Sequence, residues 1–289
     1  MSIVILTDSC CDLPVAYLQR EDLVVQGLSY HLDEREIMDR PGEATDYRSF
    51  YDAMRGGART STSQVNAEAF VNIMEPLLEA GKDILNVSFS SALSGTYQNS
   101  VIAVEMLKEK YPGRRIATVD SLCASMGQGL LIHLLLEKRD AGVSFEELAD
   151  YAAQIRHRIA HWFTVDDLQY LRRGGRVSGA AAFMGTMLDI KPVLHVDPEG
   201  RLVPVEKVRG RKKSIKSMAK HLEDTILDRE SPTIFISHGD AKEEEVEQLI
   251  ALVKERVRNP QITVGYIGPI IGSHSGPGTM AIFFLAKER

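Results

Sequence analysis

The sequence predicts an α/β protein in two domains: residues 1–160 carry a mostly parallel sheet flanked by helices, and residues 161–289 form an α+β domain with a mixed sheet. Three observations lead there. Up to residue 160, short apolar runs, polar turns and apolar-periodic stretches alternate about four times, the pattern of strand–turn–helix units stacked on a parallel sheet. Beyond Ala160 the texture changes, and Asp197-Pro198-Glu199-Gly200 between two β-rich runs reads as a hairpin turn. The 289 residues, 44% hydrophobic and 26% charged, are enough to bury one large core or two ordinary ones, and the balance disfavours disorder.

Taken in order, Ile3-Val4-Ile5-Leu6 is a buried strand broken at Thr7-Asp8-Ser9. Asp12 is expected to cap a helix whose first position is Pro14. The polar run from Gly56 to Gln64 leads into a helix over 67–79. Strands are expected at 83–89 and 115–119, and helices at 94–110, 126–140 and 145–159. In the second domain, strands 193–196 and 201–208 form the hairpin. Helices 214–227 and 243–257 then interleave with strands 233–237, 263–267 and 280–286.

Net charge −6 implies an acidic, solvated surface and argues against wholesale nucleic-acid binding. Cys10, Cys11 and Cys123 show neither a CxxC nor a Cys/His metal spacing, and an odd, unpatterned set of thiols fits a reducing compartment. The opening apolar run is too short for a signal peptide, and no stretch approaches a membrane span. The expectation is a cytoplasmic protein without a metal.

The informative chemistry lies in the turns. Strand 83–89 runs into Ser90-Ser91-Ala92-Leu93-Ser94-Gly95-Thr96, where a helix begins. Hydroxyls at a strand's carboxyl end, beside free helix N–H groups, make an anion site, although a plain Ser cap looks the same. Thr60-Ser61-Thr62-Ser63-Gln64 is a second hydroxyl cluster before a helix. The third turn, Gly268 to Thr279, is expected as a loop in which His274 sits among glycines and serines. Glycine permits close approach of backbone to a ligand, and an imidazole can donate to a carboxylate. In Leu168 to Ser178 a helical turn ends at Gly174 with Arg172 and Arg173 in its last turn. They either complement the helix dipole or form an anion clamp or docking patch. Arg209, Arg211, Lys212 and Lys213 form a further basic cluster.

Catalytic motifs are missing. There is no P-loop and no HExxH. Gly127-Gln128-Gly129 lacks the third glycine of a dinucleotide fingerprint, since residue 132 is Ile. His157 and His161 have i, i+4 spacing but no carboxylate third ligand. The middle of Gly272-Ser273-His274-Ser275-Gly276 is His, so the nucleophile elbow fails. Binding rather than turnover follows.

Thr7-Asp8-Ser9 with Asp12-Leu13, Thr62-Ser63-Gln64, Ser90 through Gln98, Val119-Asp120-Ser121, Leu171 through Ser178, Ile190-Lys191-Pro192 and Gly268 through Gly278, in that order, resemble the DegV family along nearly the whole chain. The departure is Val65-Asn66, where many relatives have a Pro shortly after the Gln. The resemblance implies a long-chain fatty acid in a tunnel of the N-terminal domain, with its head near the domain junction. Thr62, Ser94 and His274 would contact the carboxylate, with Ser63 and Gly95 adjacent. Two hydroxyls, a helix N-terminus and an imidazole would then satisfy the head group without a buried cation. It further implies a bacterial fatty-acid kinase whose separate ATP-binding subunit phosphorylates the bound acid to acyl phosphate for phospholipid synthesis. On that reading the chain itself is not an enzyme and needs no cofactor beyond its ligand, and it makes transient contact with a membrane surface. Arg172 or Arg173 would serve kinase docking or catalysis, with Arg209 on the same surface. Phe70, Met74, Phe183, Met184 and Met187 could line the tunnel or belong to the core. The alternatives are a Ser/His acyl hydrolase using Ser94 and His274, or a lipid sensor or transporter with no kinase partner.

Overall fold

The computed structural model describes residues 2–43, 45–177 and 189–289; Ser178, Phe183, Met184 and Met187 lie outside the described residues. In chain order come β1 (Ile3–Asp8), α1 (Val15–Leu18), β2 (Leu23–Gln26), β3 (Ser29–Leu32), β4 (Arg35–Met38), α2 (Tyr47–Arg55), β5 (Thr60–Ser63), α3 (Ala67–Glu79), β6 (Asp83–Ser88), α4 (Thr96–Lys110), β7 (Ile116–Asp120), α5 (Met126–Asp140) and α6 (Phe145–Ile155). There follow β8 (Ile159–Thr164), α7 (Gln169–Arg173), β9 (Ile190–Val196), β10 (Leu202–Arg209), α8 (Arg211–Thr225), β11 (Thr233–His238), α9 (Glu243–Arg256), β12 (Gln261–Tyr266), α10 (Pro269–Ser275) and β13 (Met280–Leu285).

Strands β1 and β6 are buried along their whole length, as central strands of a parallel sheet covered on both faces must be. That sheet has the order β2-β1-β6-β7 with every pairing parallel. Asn86 is accommodated inside β6 because its amide donates to Ser88 Oγ (2.9 Å) and Thr118 Oγ1 (2.8 Å). Helix α3 starts where Asn66 accepts from the Ala69 N–H (2.8 Å), and α6 starts with a capping box between Ser144 and Glu147. The six-stranded sheet has the order β10-β9-β8-β13-β11-β12, mixed as expected, with the β9–β10 hairpin closing between Val196 and Leu202.

Alternation along the six-stranded sheet separates two apolar layers. Ile234, Ile236, Ile282 and Phe284 face a cluster with Ile215, Met218 and Leu222 of α8 and Leu249 and Val253 of α9. Phe163, Leu194, Phe235 and Phe283 face the other way and join the core of the parallel sheet. Helix α5 lies between the two sheets, touching β1 on one side and β8, β11 and β13 on the other. From Met126 to Leu136 it is therefore buried nearly all round rather than striped. Its opening Gly-Gln-Gly is a packing requirement: a Cβ on Gly127 would stand 2.0 Å from His161 Nε2.

Four expectations are corrected. Thr60–Ser63 is not a turn but the edge strand β5 of a small antiparallel sheet, β4-β3-β5, pairing with β3. Four hydroxyl residues carry no apolar alternation, so only the partner edge makes this segment a strand. Asp12 does not cap α1, whose N-cap is Pro14 without a side-chain bond. It adopts φ 49°, and its carboxyl accepts from Ser125 Oγ (2.6 Å) and the Gly268 N–H (2.9 Å), tying β1 to the starts of α5 and α10. Burial pushes its pKa up to about 8. The helix expected to run to residue 159 stops at Ile155, a 3-10 turn covers Arg156–Arg158, and Ile159 opens β8. His157 and His161 are thus on different elements. The Gly-rich stretch after residue 268 is helical, with Pro269 at its first position.

Leu135 is fully buried on α5, whereas Ile102 on α4 is half exposed. Leu135→Ala is expected to cost about 2–5 kcal/mol and Ile102→Ala less than about 0.5 kcal/mol in denaturant unfolding, and equal losses would contradict the packing described.

Candidate functional site

Between the parallel and six-stranded sheets lies a cavity of about 450 Å³, within the size range of small-molecule sites. Its walls come from both halves of the chain: Leu28, Phe89 and Leu93 on one side, and Phe163, Ile270 and Phe283 on the other. The body is apolar. One end is polar, and a closed ring of contacts defines it.

Thr62, on edge strand β5, places Oγ1 2.7 Å from His274 Nε2, a contact between residues 212 positions apart. The imidazole is pressed against α7's end: a Cβ on Gly174 would stand 2.4 Å from His274 Nδ1. Arg176 donates through Nη1 to the Gly174 carbonyl (2.5 Å) and through Nε to the Leu93 carbonyl (3.2 Å). Leu93 leads into Ser94 and Gly95, where a Cβ on Gly95 would stand 2.2 Å from Gln64 Oε1. Gln64 follows Thr62 and Ser63 on the chain, which closes the ring. Ser94 Oγ accepts from the Thr96 N–H (3.3 Å) and bonds Thr96 Oγ1 (3.0 Å), so the N-terminus of α4 opens beside these hydroxyls. Helix N-termini and oriented hydroxyls favour an anion.

Burial and a neighbouring charge set the state of the imidazole. Burial, reinforced by the positive Arg176, lowers His274 to about 4, so the ring is neutral at neutral pH. Cys10 also lines the cavity, but burial raises its thiol well above 9 and keeps it protonated and unreactive. His161 contributes a ring wall. Its Nε2 accepts from the Ala124 N–H (3.2 Å), its Nδ1 faces the Ile159 carbonyl (2.9 Å), and burial holds its pKa well below 6.5.

The structure brings Thr62, Ser63, Ser94, Gly95 and His274 together at the polar end. It separates the other candidates from them. Arg172 and Arg173 are exposed on α7, with Arg173 over the Tyr170 ring at 4.7 Å. Arg209 is the exposed last residue of β10 and does not line the cavity. Phe70 and Met74 are fully buried core residues of α3 and do not line it either. The sequence reading missed Arg176, and with it the prospect of a cation at the polar end. Its only signal was the third arginine of Arg172-Arg173-Gly174-Gly175-Arg176. Gly175, at φ 69°, turns the chain so that this arginine parts from the other two. Among the described residues, no cluster of three or more His, Cys, Asp or Glu could hold a metal, and no helix is long and apolar enough to cross a membrane.

Comparison with known proteins adds the family. The profile described as "Uncharacterised protein, DegV family" matches residues 2–287. A DegV domain-containing protein of Clostridium perfringens is 42% identical, the match covering 99% of this chain and 98% of that protein. A solved DegV family protein of Thermus thermophilus, described by its fatty acid binding, superposes with a TM-score of 0.88 at 30% identity, covering 99% of this chain and 100% of that one. The Fatty Acid Kinase (Fak) B3 protein of Streptococcus pneumoniae, loaded with linoleic acid, shares the fold at a TM-score of 0.86 and 20% identity, over 99% of each chain. The chain belongs to the DegV family.

Because folding holds the His274 pKa below its ordinary 6.5, its contribution to stability is complete above 6.5 and is lost as pH falls toward 4. An NMR titration of the ligand-free protein should find this imidazole neutral until the pH approaches 4. A midpoint at 6.5 or above would show that the ring is neither desolvated nor beside a cation.

Proposed function

We propose that this DegV-family chain binds a long-chain fatty acid in the cavity, with the carboxylate at the Thr62–Ser94–Gly95–His274 end, and presents it to a separate ATP-dependent kinase subunit for conversion to acyl phosphate. The observation that carries the reading is an apolar-walled cavity on which hydroxyls, a helix N-terminus and a neutral imidazole converge. The fatty acid binding of the Thermus thermophilus relative supports it, and so do the family motifs at the polar end.

The tail supplies affinity. Roughly fifteen methylenes at about 0.8 kcal/mol each contribute on the order of 12 kcal/mol before the costs of association are subtracted. The head supplies orientation. With its proton on Nε2, His274 donates to Thr62 Oγ1, and the Thr62 hydroxyl is then free to donate to a carboxylate oxygen. The Ser94 hydroxyl and the N–H groups at the start of α4 serve the other oxygen. Neutral donors hold the carboxylate without the bidentate Arg grip that would hinder phosphorylation.

A hydrolase acting through Ser94 and His274 fits less well. His274 Nε2 is engaged by Thr62, Ser94 bonds Thr96, and the other side of the ring meets the Gly174 backbone instead of an orienting carboxylate. Kinase presentation accords with the position of Arg172 and Arg173, exposed on the turn whose C-cap Gly174 touches His274.

Native mass spectrometry with organic extraction should find one long-chain fatty acid per chain. A protein that stays empty after incubation with saturated and unsaturated fatty acids would refute the reading. With a kinase subunit and ATP supplied, the Arg172→Ala/Arg173→Ala double variant should keep its ligand and lose acyl-phosphate formation. Phosphorylation at the normal rate would dismiss that docking patch.

A further inference from the structure

We propose that Ser275 is a specificity-determining residue of the cavity: with Thr279 it forms a hydroxyl pair in the wall that receives a fatty acid carrying its own hydroxyl close to the carboxylate, a 3-hydroxy acid. This rests on the fatty-acid reading above and deepens it by naming the substrate class.

Ser275, the last residue of α10, is 5% exposed and lines the cavity. Its Oγ is shielded from water and has no hydrogen-bond partner among the described residues. The other hydroxyls on the wall differ: Thr62 is held by His274, Ser94 by Thr96 and Ser125 by Asp12, while Ser63 is exposed. A buried hydroxyl without a partner costs free energy, so one that also borders a ligand cavity calls for a partner from the ligand. With no bond to keep it in one rotamer, its χ1 is free to aim Oγ into the space. Thr279 supplies the complement. It also lines the cavity, is 2% exposed, and shares its one hydroxyl hydrogen between the carbonyls of Ser275 and Gly276, both at 2.9 Å. That leaves Oγ1 with lone pairs to accept and no proton to donate. Ser275 can donate and Thr279 can only accept, and the group that answers both is a hydroxyl. A methylene answers neither, and a carboxylate cannot donate. The position along the ligand follows from the neighbour of Ser275. His274 meets the carboxylate in the reading above, and consecutive α-carbons are about 3.8 Å apart, so the pair faces the carbons next to the head group rather than the tail.

The test compares hexadecanoate, 3-hydroxyhexadecanoate and 16-hydroxyhexadecanoate by equilibrium binding to the wild type and Ser275→Ala. The wild type should hold the 3-hydroxy acid at least as tightly as hexadecanoate, and the 16-hydroxy acid, whose hydroxyl enters the apolar part, more weakly. Ser275→Ala should weaken the 3-hydroxy acid by about five- to tenfold and leave hexadecanoate within about twofold. Without ligand, the melting temperature of Ser275→Ala should equal or exceed that of the wild type, because removing an unpartnered buried hydroxyl relieves a cost. A lower melting temperature would show that the hydroxyl has a partner in the protein and would overturn the proposal. Parallel weakening of hexadecanoate and the 3-hydroxy acid would place Ser275 on the carboxylate, and an unchanged 3-hydroxy acid affinity would remove it from recognition; either result defeats the assignment. If the wild type binds hexadecanoate and rejects the 3-hydroxy acid, the substrate class is wrong. If it binds none of the three acids, the fatty-acid reading itself fails, which is a separate outcome.

Discussion

From Met126 to Leu136, α5 is buried on nearly every side, and the rest of the molecule is arranged around that constraint. A helical stretch buried all round offers no face to water, so it needs a layer on each flank. The parallel sheet supplies one and the six-stranded sheet the other, with β1 against one side and β8, β11 and β13 against the opposite one. The two halves therefore share a continuous apolar core instead of meeting across a polar seam. Gly127 allows the closest approach, since its missing side chain is the space that His161 occupies.

The cavity is a consequence of that shared core. Beside the start of α5, where Ala124 and Ser125 reach its wall, Phe89, Leu93, Phe163 and Phe283 line that space. An apolar space inside a protein is close-packed, dry or occupied, and polar atoms at its edge need partners. At the polar end those needs are met by pairs drawn from distant parts of the chain: Thr62 with His274, Arg176 with the carbonyls of Leu93 and Gly174, and Ser94 with Thr96. The end is thus already organised before any ligand arrives. Preorganised donors in a low-dielectric setting hold an anion at little further cost in ordering.

Much of the fold was legible because helices and buried strands announce themselves locally. Helices 67–79 and 126–140 were read with the boundaries they have, the first from its apolar period. The hydroxyl and glycine clusters at strand and helix ends were legible locally; the resemblance to the family named Thr62, Ser63, Ser94, Gly95 and His274 among them, and these five line one cavity. The failures share a cause. β5 is a strand only because β3 offers it an edge, and residues 23–55, with three short strands and α2, lack the alternation that would mark them. Asp12 has the position of a helix cap, but its partners, Ser125 and Gly268, are more than a hundred residues away.

What the sequence determined alone is whatever depends on near neighbours: the alternating strand–helix order, the apolar-periodic α3, the hydroxyl clusters and the ordered motifs of the DegV family. What only the tertiary structure decided is which of these meet. Three arginines within five residues look alike along the chain, yet a left-handed Gly175 leaves two on the surface and brings the third to the cavity. His274 and Thr62 are unremarkable apart and become a site only when joined across 212 positions. The physical reason is that hydrogen-bonded turns and periodic faces are fixed by residues a few places apart, whereas burial, desolvation and the field of a neighbouring charge are properties of the packed molecule.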